Sequence, residues 1–219
     1  MNCKYCNGYC IKRGFQNKTQ KYQCKTCKHY QQKEYVYKIC TEQDNKLIAQ
    51  LNNEGMSISS IGRITGISKA NVVNRIKKLV KKIIEPQINE RHQEYEADEL
   101  YTFIGAKKSP CYIMYAVNKI SKQVVNIVVG ARTKENLFKV IESINQLSPK
   151  RIFTDRLNIY PTLIPATNHV ASAYKINHIE RFNLTLRTHL KRLSRKTICF
   201  SKSREMLENC LRIYLWNKT

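Results

Sequence analysis

Acidic residues are scarce in this chain. Only 16 Asp and Glu stand against 39 Lys and Arg in 219 residues, a net charge of +23 at pH 7. Long apolar runs are missing too: no stretch approaches the ~18 consecutive apolar residues that a membrane-spanning helix needs. The stretch Met1 to Cys10 lacks the apolar core of a secretory signal, so the nine cysteines are expected to be reduced or metal-bound rather than paired in disulfides. Neither an internal repeat nor a low-complexity tract is present. What is present is a 42% apolar fraction, enough for a real core, which argues against a wholly disordered basic protein.

The positive charge runs the whole length. Residues 1–90 hold 17 basic and 6 acidic residues, and residues 91–219 hold 22 and 10. A polyanion is therefore the expected partner throughout, and nucleic acid is the simplest one. The composition divides the chain into three domains. Residues 1–40 are rich in Cys, Lys and Tyr, residues 41–85 have helical periodicity, and residues 92–219 alternate strand-like and helix-like patterns. Glu85-Pro86 ends the helical run, and residues 86–93 are polar and linker-like.

Cys3-x-x-Cys6 and Cys24-x-x-Cys27 form two knuckles 17 residues apart, the pattern of a structural zinc ribbon. Gly8 is expected to supply a positive φ after the first knuckle. Cys10 and His29 are spare ligand types that are read as ordinary residues. Cys40, Cys111, Cys199 and Cys210 lack ligand spacing and are read as small apolar residues.

The middle segment predicts three helices. The first covers Glu42 to Asn53, with Gly55 just past its end, and Ser57 caps the second. Thr65-Gly66-Ile67-Ser68 then makes a tight turn, with Ser68 capping the third helix. One face of that helix carries Lys69, Asn71, Asn74, Arg75 and Lys78, which suits a DNA-reading helix-turn-helix. The asparagines and Arg75 are types that pair with base edges, and the lysines suit phosphates. The apolar run to Ile84 also allows a dimer seam.

Residues 92–219 read as three strands, then helix, strand, short helix, strand and helix, an order that suggests an α/β, ribonuclease-H-like mixed sheet. Asp98 and Asp155 stand in or at the end of apolar strands, where an unpaired carboxylate is costly. Glu180 is the only acid on a helix rich in Arg and Lys. Such a set suits two hard divalent cations, Mg²⁺ or Mn²⁺, and in-line phosphoryl displacement. Pattern alone does not separate Asp98 from its neighbours: Glu96 shares its strand face, and Glu99 lies on the other. Salt bridges to the plentiful cations are the bland alternative.

These stretches together resemble the insertion-sequence-one family of bacterial transposases. The resemblance is carried by Cys3–Cys27, the turn around Ile61–Ile76, Asp98-Glu99-Leu100-Tyr101, Gly105-Ala106-Lys107, Thr154-Asp155, Ile179-Glu180-Arg181-Phe182-Asn183-Leu184 and the tail Leu190–Ser203. It implies a DDE transposase that binds terminal inverted repeats and catalyses strand cleavage and transfer, with Asp98, Asp155 and Glu180 as the triad. It also implies Arg187 as a phosphate-positioning residue. Arg181, Lys191, Arg192, Arg195 and Lys196 are expected to track the DNA backbone. Double-stranded DNA is the expected partner, with a homo-oligomer on DNA, no membrane, and a cytoplasmic, nucleoid-associated location. One departure is Arg156, where the family pattern has Gly after the second Asp. It is expected to crowd the turn. It leaves open a catalytically decayed copy acting as a DNA-binding regulator, beside a structure-specific nuclease of the same fold.

Overall fold

A computed structural model describes residues 1–16, 18–33, 41–85, 90–172 and 174–217. Cys40 and residues 86–89 of the expected linker lie outside them. The chain forms two compact units, Met1–Cys40 and Thr41–Thr219.

The first unit is an antiparallel sheet of β1 (Cys10–Gln16), β2 (Thr19–Cys24) and β3 (Tyr30–Gln32), in that order. Its two cysteine knuckles are built alike. The Cys3 N–H donates to Gly8 O at 2.8 Å, and the Cys24 N–H to His29 O at 3.0 Å. The positive φ that each knuckle requires falls on Asn7 (58°) and Lys28 (62°), not on Gly8. Gly8 is required for space instead, because a Cβ there would lie 2.6 Å from Thr26 Oγ1.

The second unit begins with α1 (Glu42–Asn53), α2 (Ile58–Thr65) and α3 (Lys69–Val80). Thr41, Ser57 and Ser68 cap them through side-chain oxygens, and Gly66 makes the α2–α3 corner at φ 70°. Ile48, Ile61, Val72 and Ile76 fill the space between these helices. Helix α3 stops at Val80, short of the apolar run's end. Ile83 packs against the larger core instead of extending a helical seam.

The remaining elements are β4 (Glu94–Phe103), β5 (Pro110–Asn118), β6 (Val124–Gly130), α4 (Lys134–Asn145), β7 (Arg151–Thr154), β8 (His169–Ala171), α5 (Asn177–His189) and α6 (Arg204–Trp216). The helical piece expected near Leu157–Leu163 contracts to a 3-10 turn at Tyr160–Thr162 around Pro161. The five strands form a mixed sheet in the order β6-β5-β4-β7-β8. Strands β4, β5 and β6 are antiparallel neighbours, whereas β7 runs parallel to β4, and β8 parallel to β7. Alternation along β4 sends Tyr95 and Ala97 into the apolar layer with α4 and Leu100 into the layer with α5 and α6.

Helix α6 is buried along much of its length (Met206, Leu207, Cys210, Leu211, Ile213 and Trp216), because α1 and α3 pack on it from outside the sheet layer. Asn52 Nδ2 donates to Cys210 O at 3.0 Å across this contact. At the corner after α1, Gly55 (φ 69°) lies so close to the end of α5 that a Cβ would sit 2.1 Å from His189 O. Gly66 has a similar φ but open space around it. Gly55→Ala should therefore cost about 2 kcal/mol or more, against about 1 kcal/mol for Gly66→Ala, measured by urea unfolding. Equal losses would mean that the α1 corner is not tightly seated.

Candidate functional site

The carboxylates gather where the sheet opens. Strand β7 pairs with β4 only from Glu94 to Glu96 and ends at Thr154, so β4 beyond Glu96 has a free edge on that side. Asp155 follows directly, and its Oδ1 accepts the Leu157 N–H at 2.9 Å, which fixes the turn. Asp98 and Glu99 belong to opposite faces of β4, yet both reach around the free edge. One oxygen from each of Asp98, Glu99 and Asp155 lies within 4.8 Å of the others. This arrangement has the hard oxygen donors that a divalent cation prefers.

Each carboxylate has an anchor. Asn183 Nδ2, on α5, donates to Asp98 Oδ2 at 2.7 Å, and the Tyr115 hydroxyl donates to Asn183 Oδ1 at 2.7 Å. The Tyr160 hydroxyl donates to Glu99 Oε1. Burial is the main reason that Asp98 holds its proton up to about 6, with Asp155 and Glu180 adding repulsion. Burial likewise pushes Glu99 up to about 7, against the Tyr160 bond and with Asp98 and Asp155 adding to it. Glu180 stands exposed in the first turn of α5, outside the close cluster but within the field of Asp98.

Glu99 was not singled out in the sequence, because pattern alone does not separate it from Asp98 and the family resemblance selects Asp98. Its signal would have been the early end of the neighbouring strand. Asn183 and Tyr160 carried none, since only the fold brings them to the acids. Arg156, after the second aspartate, does not have a positive φ, and its side chain is exposed.

In the first unit, one Sγ from each of Cys3, Cys6, Cys24 and Cys27 lies within 4.8 Å of the rest. The pairs Cys3–Cys27 and Cys6–Cys24 are each 3.5 Å apart. Sulfurs on a tetrahedral zinc would stand ~3.8 Å apart, so the set fits such an ion. The Tyr5 N–H points at Cys3 Sγ and the Cys27 N–H at Cys24 Sγ, and each lowers its thiol toward the thiolate. Cys10 is buried beside Gln31, and His29 stacks on Tyr5, so neither joins the four.

Lys69, Asn71, Asn74 and Lys78 are exposed along α3, and Arg75 is half-buried on the same helix. Arg181, Lys191, Arg195 and Lys196 are exposed. Arg192 is not: it is 7% exposed and donates to Ser201 Oγ, so it packs the tail and cannot reach a DNA backbone. Arg187 donates to Leu193 O at 2.8 Å and Tyr101 O at 3.0 Å, which ties α5 to the tail and to β4.

The family model described as IS1 transposase matches residues 94–219. Insertion element IS1 4 protein InsB of Escherichia coli (strain K12) is 35% identical over 120 residues, covering 55% of this chain and 72% of that protein. Insertion element iso-IS1n protein InsB of Shigella dysenteriae is 33% identical over 120 residues, covering 55% of this chain and 92% of that protein. Among solved structures, the HTLV-2 integrase catalytic core domain in complex with magnesium (trimeric form) is 14% identical with a TM-score of 0.37. It covers 57% of this chain and 83% of that one.

Raised folded-state values for Asp98 and Glu99 mean that their contribution to stability is present below about pH 4 and is lost as pH rises toward about 7. The metal-free protein should therefore melt lower at pH 7.5 than at pH 5.5, and Asp98→Asn should flatten that dependence. Mg²⁺ should raise the melting temperature more at pH 7.5 than at pH 5.5. Scanning fluorimetry checks this, and an unchanged slope in Asp98→Asn would contradict it.

Proposed function

Because the chain belongs to the IS1 transposase family, we propose that it is a DDE transposase that binds the terminal repeats of its element, cuts DNA there and joins the freed end to a target. The observation that carries this reading is the convergence of Asp98 and Asp155 at the open edge of β4, with Glu180 within the field of Asp98. The sheet order, with three antiparallel strands followed by two parallel ones, supports a ribonuclease-H-like core.

Two Mg²⁺ or Mn²⁺ ions held there would supply charge stabilisation to the attacking and leaving oxygens of an in-line phosphoryl displacement. Asp98, Asp155 and Glu180 are the residues that would hold them, and Glu99 is a further carboxylate within reach. Asn183 keeps the Asp98 carboxylate aimed at the free edge while Tyr115 holds Asn183 in turn. Water first cleaves the phosphodiester at the element's end and leaves a 3′-hydroxyl. That hydroxyl then attacks a target phosphodiester, forming one P–O bond and breaking another. Arg187 has its guanidinium fixed by two carbonyls and presents its other N–H groups to phosphate. Arg181, Lys191, Arg195 and Lys196 follow the backbone near the cut.

The exposed face of α3 reads the repeat as the second helix of a helix-turn-helix. Lys69 and Lys78 take phosphates, and Asn71, Asn74 and Arg75 take base edges. The four-cysteine unit holds zinc and adds a second DNA contact. Joining two ends requires at least two copies on the DNA, in the nucleoid.

In a strand-transfer assay with end-containing DNA and Mg²⁺, Asp98→Ala, Asp155→Ala and Glu180→Ala should each lose roughly a hundredfold or more, since metal-borne charge stabilisation is worth several kcal/mol. The exposed helix acids Glu135 and Glu142 should tolerate the same change. Full activity in any triad variant would remove that residue from the site. Lys69→Ala and Lys78→Ala should each reduce the slope of log K against log salt by about one. A flat salt response would contradict phosphate contact. Removing zinc with a chelator should unfold residues 1–40 and weaken end binding, while the melting of residues 41–219 persists. Circular dichroism and a gel-shift assay read the two effects separately.

A further inference from the structure

Helix α5 is capped differently from the others. Helices α1, α2, α3, α4 and α6 each take a side-chain cap from the Thr or Ser just before them. Helix α5 follows Ile176, which offers no side-chain acceptor. Its third-position N–H, on Ile179, donates at 2.7 Å to Oε2 of Glu96 on the central strand, 83 residues away. Glu96 is 1% exposed, and its other oxygen has no partner among the described residues. A carboxylate buried in this way is expensive, and the positive end of the helix offsets only part of the cost. A local Ser or Thr would satisfy the same N–H more cheaply.

The location explains the choice. Glu96 is two residues before Asp98 on the same face of β4. Ile179 directly precedes Glu180, and Asn183, one turn on, donates to Asp98. The first turn of α5 is thus tied to the catalytic strand on both sides of Glu180. We propose that Glu96 is a positioning residue, a cap from the strand that fixes the first turn of α5 and so where Glu180 stands within the field of Asp98. This rests on the triad reading above.

The full-length protein tests it by amide hydrogen exchange without metal or DNA, and by the Mg²⁺ midpoint of strand transfer. In the wild type, the Ile179 amide should be protected although it lies in a first turn, where an uncapped N–H is open to solvent. Glu96→Asp keeps the charge but is one methylene short of that N–H. It should speed exchange at Ile179 by about tenfold or more and raise the Mg²⁺ midpoint by about tenfold, the scale of one hydrogen bond to a charged group. Glu96→Gln keeps an acceptor at full reach and should restore both to within about threefold. End binding should be unchanged in both variants.

Rapid exchange at Ile179 in the wild type would overturn the cap, whether or not Glu96→Asp folds. Faster exchange in Glu96→Asp with an unchanged Mg²⁺ midpoint would reduce Glu96 to a structural cap and overturn the positioning role. Full strand transfer by Asp98→Ala would instead overturn the triad reading itself, and the positioning role with it.

Discussion

Like-charge crowding at one sheet edge is the constraint on which the rest of the structure depends. Asp98, Glu99 and Asp155 are half-buried within 4.8 Å of one another in a chain with 39 basic side chains. Among the described residues none of the three forms an ion pair. The pairs fall elsewhere, at Lys77–Glu205, Lys82–Glu42, Lys119–Glu94 and Arg212 with Glu85 and Glu208. The salt-bridge reading therefore finds no ion pair at these three acids among the described residues. Burial first, and mutual repulsion second, make the ionised forms of Asp98 and Glu99 costly, with Arg132 offsetting part of the cost at Glu99.

The fold brings these acids together through where strands end. Parallel strand β7 stops one residue before Asp155, and this leaves β4 with an open flank at Asp98 and Glu99. In open sheets, ligands enter at the ends of parallel strands because the backbone there has no neighbour to pair with. The two faces of β4 then serve one site. Asp98 is aimed from the α5 side by Asn183, and Glu99 from the α4 side by Tyr160, which belongs to that core layer.

Local structure was legible in the sequence because its signals are local. Ser57, Ser68 and Gly66 set the bounds of α2 and α3 through hydrogen bonds and a positive φ within a few residues. The two cysteine pairs were legible for the same reason, since each knuckle closes on itself. The triad needed the family resemblance, because periodicity cannot choose among Glu96, Asp98 and Glu99. It could not reveal that they have three different partners: the Ile179 N–H, Asn183 and Tyr160. Those partners lie 61 to 85 residues away, so only the closed fold defines them. Arg192 misled because charge alone gives no sign of burial. Its Ser201 partner becomes a neighbour only when the tail folds back.

Helix α5 joins these levels. Its first turn is held by Glu96 on the central strand, and its last carbonyls meet the backbone of the α1 corner at Gly55. Helix α6, beside it, is packed by the sheet on one side and by α1 and α3 on the other. The helices with the exposed basic face and the strand with the carboxylates are therefore parts of one packed body. In such a body, a displacement of α1 or α3 is passed to the elements packed on them. It must be borne by the contacts at His189 and Cys210, and so by the helix that carries Glu180. Rigid seating of this kind fixes the distance between α3 and the carboxylate edge.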